Sequence, residues 1–147
     1  MKNTFTTEIV SREHISAIAN IESQCFAEPW SESALELFLR DGAFAVVGKS
    51  GGEVNSYCTL TAVLDEAQII NVATREEHRG KGYARAVIER VIEECKKRGI
   101  ASLSLEVRRS NFAAIGLYNS LGFCICGERR GFYRSPKEDA LVMIKQI

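Results

Sequence analysis

The sequence lacks a long hydrophobic run and lacks an excess of either charge. Lysine plus arginine and aspartate plus glutamate each number 19, so the formal net charge is zero. Proteins that bind nucleic acids usually carry a basic excess, and this balance argues against such a partner. No apolar run approaches the roughly 18 residues of a membrane-spanning helix, and the first six residues contain no apolar signal core. We therefore expect a cytoplasmic protein without a membrane partner.

Cysteines are few, and their number, five, is odd. In a chain without an export signal, an odd count indicates reduced thiols. Cys58, Cys95, Cys124 and Cys126 lie in apolar patterns, where cysteine behaves as a small hydrophobic residue. Cys124 and Cys126 are expected to share one face of a strand, but two thiols without further cysteine or histidine make a poor zinc site. The sequence therefore predicts no metal.

The 147 residues, 46% hydrophobic and 26% charged, are typical of one globular domain that spans residues 1–147. Apolar spacing predicts an order of elements that is α/β or, more specifically, α+β. The predicted strands are Phe5–Val10, 43–48, 54–63, 67–74, 101–107, 123–128 and 140–144. The predicted helices begin at Ser11 or Arg12, after a Ser31 cap, at 84 and after an Asn111 cap, and a polar loop is predicted over 129–139.

One stretch joins a predicted strand to the longest predicted helix. Asn71–Thr74 ends the strand, Arg75–His78 is polar, and Arg79–Ala84 is rich in glycine. The following helix has an apolar stripe formed by Ala84, Val87, Ile88, Val91, Ile92 and Cys95. Backbone N–H groups from Gly80 to Ala84 therefore lie at a helix N-terminus, which is a site suited to phosphate.

The spacing of the glycines excludes two common phosphate motifs. A Rossmann fingerprint requires a small residue at the sixth position from Gly80, where Arg85 stands. A P-loop requires serine or threonine after Lys81, where Gly82 stands. The pattern Arg-x-x-Gly-x-Ala instead resembles the acetyl-CoA pyrophosphate loop of the GNAT N-acetyltransferase family. The residues alone leave a second interpretation, a tight strand–helix turn without a ligand.

A second region carries the same resemblance. It comprises Leu105–Arg108, Ser110–Asn111, Ala113–Ile115, Leu117–Tyr118 and Leu121–Phe123, which are similar to the second half of the GNAT core. The resemblance implies a mixed, mostly antiparallel central sheet flanked by helices over nearly the whole chain. Within the family, Phe26–Ser31, Val63–Ala67 and Glu138–Ala140 are most similar to bacterial enzymes that acetylate the N-terminal alanine of a small-subunit ribosomal protein.

The resemblance implies a general base and a general acid. Glu106, predicted at a strand end on the face opposite Leu105, would be the base, acting through water. Tyr118 would be the acid that protonates the leaving thiolate of CoA. The alternatives are a surface carboxylate paired with Arg108 or Arg109 and a core tyrosine with a bonded hydroxyl.

The resemblance also implies acetyl-CoA as cosubstrate and a set of residues that bind it. Backbone groups of one strand would run beside pantetheine, the glycine loop would bind phosphate, and three cations would add charge near the phosphates. The full set is Val72, Ala73, Thr74, Arg79, Gly80, Lys81, Gly82, Tyr83, Ala84, Arg85 and Asn111. The alternatives are that Arg79, Lys81 and Arg85 are solvated surface residues and that Asn111 only caps a helix.

The acceptor is the least determined part of the prediction. Trp30, Glu28, Phe132 and Tyr133 can form a groove for the N-terminal peptide of a protein substrate, expected to be ribosomal, or can simply pack on the domain. The same scaffold also suits an acetyltransferase for a small amine or lysine. A non-catalytic acetyl-CoA-binding module that regulates a partner is a third hypothesis, against which the presence of both Glu106 and Tyr118 argues.

Overall fold

A computed structural model describes residues 4–147, which form a seven-stranded sheet with four α-helices. The strands are β1 (Phe5–Ile9), β2 (Ala43–Ser50), β3 (Glu53–Val63), β4 (Glu66–Thr74), β5 (Ser102–Arg108), β6 (Cys124–Arg134) and β7 (Lys137–Gln146). The helices are α1 (Ile15–Cys25), α2 (Glu32–Leu35), α3 (Tyr83–Lys97) and α4 (Phe112–Ser120). The strand order is β1-β2-β3-β4-β5-β7-β6, and only β4 and β5 pair in parallel. The predicted mixed, mostly antiparallel sheet flanked by helices is confirmed.

The sheet separates two hydrophobic cores because successive side chains of each strand point to opposite faces. On β2, Phe44 and Val46 pack into the core beneath α3 and α4, whereas Ala45 and Val47 pack into the core beneath α1 and α2. The predicted apolar stripe of α3 is confirmed, and its buried residues are Val87, Ile88, Val91, Ile92 and Cys95. The two faces of the sheet are therefore distinct environments.

β4 and β5 pair only at their beginnings and then diverge. Their pairing joins Glu66–Gln68 to Ser102–Ser104, three residues on each strand. Beyond this point β4 stays paired with β3, and β5 stays paired with β7. On β4, Ile70 is an extra residue between Ile69 and Asn71, a bulge that bends the strand. The divergence opens a cleft between the carboxyl-terminal halves of two neighbouring strands.

The prediction of a loop over 129–139 is wrong, because most of these residues extend the last two strands. β6 continues to Arg134, β7 begins at Lys137, and only two residues lie between them. The register is irregular between Arg129 and Tyr133, so the hairpin bulges there. β6 is the edge strand and is exposed along nearly its whole length. Its side chains can therefore be polar on both faces. The sequence of β6 then lacks the alternation of apolar and polar residues that predicts a strand.

Two of the four cysteines assigned to apolar surroundings are also placed differently. Cys58 and Cys95 are buried as expected, whereas Cys124 and Cys126 are exposed on β6. The register of β6 shifts between Ile125 and Gly127, so Cys126 occupies a bulge and the expected shared face does not form. An edge strand has no neighbour on one side to cover such residues.

The second helix is shorter than its apolar pattern predicts. Ser31 caps it as expected, since its Oγ accepts a hydrogen bond from the N–H of Ala34 at 3.2 Å. After Leu35 the chain tightens into a 3-10 turn over Glu36–Leu39. No helix within residues 4–147 combines the length and the apolar character that crossing a membrane requires.

Candidate active site

The glycine-rich loop has the backbone geometry of an anion site. Gly80 and Gly82 have φ angles of 79° and 81°, which side chains other than glycine rarely tolerate. Gly82 is the N-cap of α3, whose first N–H groups have no intrahelical carbonyl partner. A Cβ atom built on either glycine would meet nothing within 4 Å, so the backbone of the loop is open to a ligand. The predicted glycine turn at a helix N-terminus is present, with the helix beginning at Tyr83, and phosphate binding there stays a prediction.

The cationic side chains around this loop are largely engaged with the protein. Arg79 turns back, donating from Nε to the carbonyl of Thr74 at 3.2 Å and from Nη2 to Sγ of Cys25 at 3.4 Å. Arg85 donates to the hydroxyl of Ser120 on α4. Lys81 is exposed. Backbone N–H groups, rather than these side chains, are therefore the main donors that the loop offers to a ligand.

The aromatic residue of the loop also has a packing role. The ring of Tyr83 stacks on Phe5 with 4.2 Å between centroids and 5° between planes. The ring of His78 lies 6.0 Å from the Tyr83 ring. These contacts attach the start of α3 to the first strand, so Tyr83 offers a ligand its backbone rather than its ring.

The strand before the loop runs along the cleft. Val72 packs toward the core beneath α3, and Ala73 packs toward the core beneath α1, which is the alternation of an extended strand. Thr74 is buried at the end of β4 and pairs with Ser56 of β3. Residues 72–74 lie beyond the three-residue pairing with β5. An extended ligand can therefore add to this edge of β4 through backbone hydrogen bonds.

Glu106 lies on β5, on the face opposite the buried Leu105, as the alternation predicted. Its Oε1 accepts hydrogen bonds from Nε2 of Gln68 at 2.9 Å and from Nη1 of Arg129 at 3.0 Å. Its side chain is only 13% exposed. Strands β4, β5 and β6 thus each contribute one residue to a single polar cluster, which we call the Glu106 cluster.

The ion pairs considered for Glu106 from sequence are wrong. Arg108 donates to Glu138 and to the carbonyl of Pro136, and Arg109 pairs with Glu128. Gln68 and Arg129 were missed. Gln68 pairs with Ser104 in the register, two residues before Glu106, so the pairing of β4 with β5 was needed to find it. Arg129 was hidden because its strand was predicted as a loop.

Tyr118 lies on α4 and is buried, with 4% of its surface exposed. Its ring packs edge-on against Phe123 with 5.6 Å between centroids. Burial raises the pKa of its hydroxyl above the ordinary value. The group therefore keeps its proton at neutral pH and can donate it.

Tyr133 connects Glu106 and Tyr118 electrostatically. Burial raises the pKa of Tyr133, and the charge of Glu106 raises it further. Tyr133 in turn contributes, after burial and Cys58, to the raised pKa of Tyr118. The Arg108 guanidinium lies 4.2 Å from the centroid of the Tyr133 ring. Tyr133 thus lies near both Glu106 and Arg108.

The structure shows the surroundings of three further residues that the sequence singled out. Asn111 caps α4, since its Oδ1 accepts a hydrogen bond from the N–H of Ala114 at 3.2 Å. Trp30 packs against Phe38 with 5.4 Å between ring centroids. Glu28 is exposed. The contact of Asn111 with pantetheine and the roles of Trp30 and Glu28 toward an acceptor stay predictions.

Phe132 lies at the opening of the Glu106 cluster. It is 43% exposed, its ring is 5.1 Å from that of Tyr133, and the Arg129 guanidinium lies 5.2 Å from its centroid. An exposed aromatic side chain beside a partly buried carboxylate is a suitable surface for an acceptor to contact. Of the four residues predicted to form the groove, Phe132 and Tyr133 thus lie side by side, and the groove itself stays a prediction.

Comparisons with known proteins identify the family of this chain. A model of the acetyltransferase (GNAT) family matches residues 15–123. The ribosomal protein bS18-alanine N-acetyltransferase of Escherichia coli (strain K12) is 37% identical over 135 residues, covering 90% of this chain and 91% of that protein. The Salmonella typhimurium enzyme of the same name is 34% identical over 144 residues, covering 97% of each chain. The crystal structure of the Escherichia coli ribosomal-protein-S18-alanine N-acetyltransferase matches with a TM-score of 0.91 and 35% identity, covering 98% of this chain and 94% of that chain. The chain therefore belongs to the acetyltransferase (GNAT) family.

Proposed function

We propose that this chain transfers an acetyl group from acetyl-CoA to the N-terminal alanine α-amine of the ribosomal protein bS18, as a member of the RimI group. The names of relatives that match over nearly their whole length support the acceptor. The observations that support the chemistry are the divergence of β4 from β5, the partly buried Glu106 carboxylate on β5 and the buried Tyr118 on α4. Such an enzyme acts in the cytoplasm, where ribosomal proteins are made.

Glu106 is suited to accept a proton from an α-amine. The α-amine of a chain terminus has a pKa of about 7.7–8, against about 10.4 for lysine, so a larger fraction is neutral near pH 7. Gln68 and Arg129 both bind Oε1 of Glu106 and hold the carboxylate in one orientation. Its Oε2 then takes the amine proton, directly or through a water molecule.

Tyr118 supplies the second proton. As the amine nitrogen bonds to the acetyl carbon, the bond from that carbon to sulfur breaks and leaves a thiolate. Tyr118 donates its hydroxyl proton to this sulfur, since a phenol with an ordinary pKa near 10 is protonated at neutral pH and burial raises the pKa of Tyr118 further. One proton thus goes from the amine to Glu106, and one goes from Tyr118 to CoA.

The chain's backbone is suited to hold the cosubstrate. The N–H groups at the start of α3, from Gly80 to Arg85, would bind the diphosphate, since a helix N-terminus favours anions. Residues 72–74 would bind pantetheine along the edge of β4, with Asn111 on the other side. An N–H group of this edge would face the thioester oxygen, where negative charge develops.

A substrate panel tests the proposal. The protein is incubated with acetyl-CoA and short peptides that begin with Ala, Ser, Gly or Lys, and products are identified by mass spectrometry. An Ala peptide with a blocked N-terminus and an internal lysine is the matched control. We expect acetylation of the free Ala terminus and none of the control.

Two other outcomes would replace the proposal. Acetylation of the lysine side chain in the blocked peptide, or of a polyamine in preference to any peptide, would make the chain an acetyltransferase for lysine or small amines. Saturable binding of acetyl-CoA by calorimetry without transfer to any acceptor would make it a non-catalytic binding module.

A further inference from the structure

A buried carboxylate in α1 takes no part in the chemistry described above. Glu22 has no exposed surface. Its Oε1 accepts a hydrogen bond from the backbone N–H of Trp30 at 3.0 Å. Its Oε2 accepts a hydrogen bond from the Tyr57 hydroxyl, and the Asn71 amide lies within 3.3 Å of both oxygens. The carboxylate thus joins α1, which carries it, to the turn before α2, to β3 and to β4.

The hydrogen bonds of Glu22 explain how a buried carboxylate can be accommodated, but they do not explain why a carboxylate stands at this position. Burying an unpaired carboxylate is expensive, and the three donors reduce that cost. Burial and the hydrogen bond to Glu22 raise the pKa of Tyr57, so this hydroxyl remains a donor. However, apolar residues of similar volume usually stabilise a core at least as well as a buried polar group. A role in placing the elements that Glu22 joins would account for a carboxylate at this position.

Two partners of Glu22, Asn71 and Trp30, lie at different parts of the candidate site. Asn71 follows the bulge at Ile70 on β4, three positions after Gln68, which binds Glu106. Asn71 directs its side chain to Glu22 under α1, on the same face of the sheet as Ile70. Trp30 belongs to the turn between α1 and α2 and packs over the core on that face. Glu22 therefore links the strand whose Gln68 binds the base to the turn predicted to wall the acceptor.

We propose that Glu22 is a positioning residue for the acceptor, setting the turn that carries Trp30 relative to the bulge of β4. The proposal rests on the proposed function, because it concerns the peptide side of the same site. Tyr57 contributes only by satisfying the carboxylate, since its ring is buried in the core beneath α1. The hydrogen bonds of Glu22 hold the turn in place before the peptide binds. They are therefore expected to lower the entropic cost of ordering the turn on binding.

Trp30 gives a direct readout because it is the only tryptophan of the chain. In Glu22→Gln the side chain keeps its size but loses an acceptor oxygen, so the Trp30 turn loosens. We expect red-shifted Trp30 emission and faster acrylamide quenching. We also expect the KM for the Ala peptide to rise about tenfold, as for one lost hydrogen bond to a charged group. The turnover number and the KM for acetyl-CoA should stay within about twofold, because the turn contacts neither the reacting atoms nor the cosubstrate in the proposed arrangement.

Glu93→Gln is the matched control, because Glu93 is an exposed glutamate on α3. It should leave both the Trp30 emission and the peptide KM unchanged. If Glu22→Gln does not fold, Asn71→Ala is used instead. This change removes the hydrogen bonds between β4 and Glu22 and leaves α1 intact. The expected rise in peptide KM is the same.

The outcomes separate this inference from the proposed function. A folded Glu22→Gln protein with wild-type Trp30 quenching and wild-type peptide KM would overturn the positioning role, and so would a loss of thermal stability alone. An unmodified chain that acetylates no peptide would instead overturn the proposed function. In that case the fluorescence experiment still tests whether Glu22 orders the Trp30 turn, because it needs no acceptor.

Discussion

Replacing Tyr118 with phenylalanine removes one hydroxyl from a buried ring and tests the proposed general acid. The ring should keep its edge-on contact with Phe123, so we expect only a small change in the unfolding temperature. A placed acid contributes about 10²–10⁴-fold to rate. This factor corresponds to roughly 3–5 kcal/mol of transition-state stabilisation. Binding of CoA should not change, because the proposed contacts with the diphosphate come from the loop before α3.

The assay must isolate the chemical step, since slow product release can hide a change in chemistry. Single-turnover reactions are quenched rapidly and the acetylated Ala peptide is quantified, while calorimetry measures CoA binding. Tyr57→Phe, measured at saturating peptide, is the matched control, because it removes a buried phenol hydroxyl that bonds Glu22 rather than the reacting groups, and its single-turnover rate should stay close to that of the unmodified protein. A single-turnover rate for Tyr118→Phe equal to that of the unmodified protein would refute the role of Tyr118 as acid.

The pH dependence gives a second check on the same group. Because burial raises the pKa of Tyr118, its hydroxyl stays protonated through the neutral and moderately alkaline range. The turnover number should therefore show no loss from Tyr118 ionisation between about pH 7 and 9, both below the ordinary tyrosine pKa near 10. A fall of the single-turnover rate across this range that Tyr118→Phe abolishes would contradict the raised pKa of Tyr118, because it would show that this hydroxyl ionises below about pH 9.

Two further substitutions test the loop and the base. Gly82→Ala places a Cβ in the left-handed region at a cost of about 1–2 kcal/mol, and we expect CoA to bind about tenfold more weakly by calorimetry. Gly99→Ala is its control, because Gly99 also has a positive φ but lies after the other end of α3, so equal weakening in both would refute the loop as the phosphate site. Arg129→Met removes one of the two donors to Glu106 and should lower the single-turnover rate about tenfold. Arg130→Met, at a neighbouring side chain that is 88% exposed, should have no effect, and an unchanged rate in Arg129→Met would show that the ion pair does not support the base.

Local patterns were sufficient wherever neighbours in sequence decide the structure. The 3.6-residue spacing of apolar residues in α3 and the caps at Ser31 and Asn111 depend on residues within a turn or two. For the same reason the site at the start of α3 was predicted from a run of six residues. The face of β5 that carries Glu106 followed from alternation alone.

Partners of the site residues were not predictable in this way. Glu106 is bound by Gln68, 38 residues away, and by Arg129, 23 residues away. Glu22 reaches Tyr57 and Asn71 across 35 and 49 residues. Nothing local distinguishes these glutamates from exposed ones such as Glu93, because burial and pairing depend on strand register.

The sequence by itself determined the helices, most strands, the glycine loop and, by resemblance, the family and its two catalytic candidates. Only the tertiary structure decided where β4 separates from β5, which arginine meets Glu106 and how far the last hairpin extends. The physical reason is that dihedral preferences and apolar periodicity act over a few residues. Strand pairing and ion pairs instead depend on which distant segments the sheet brings together.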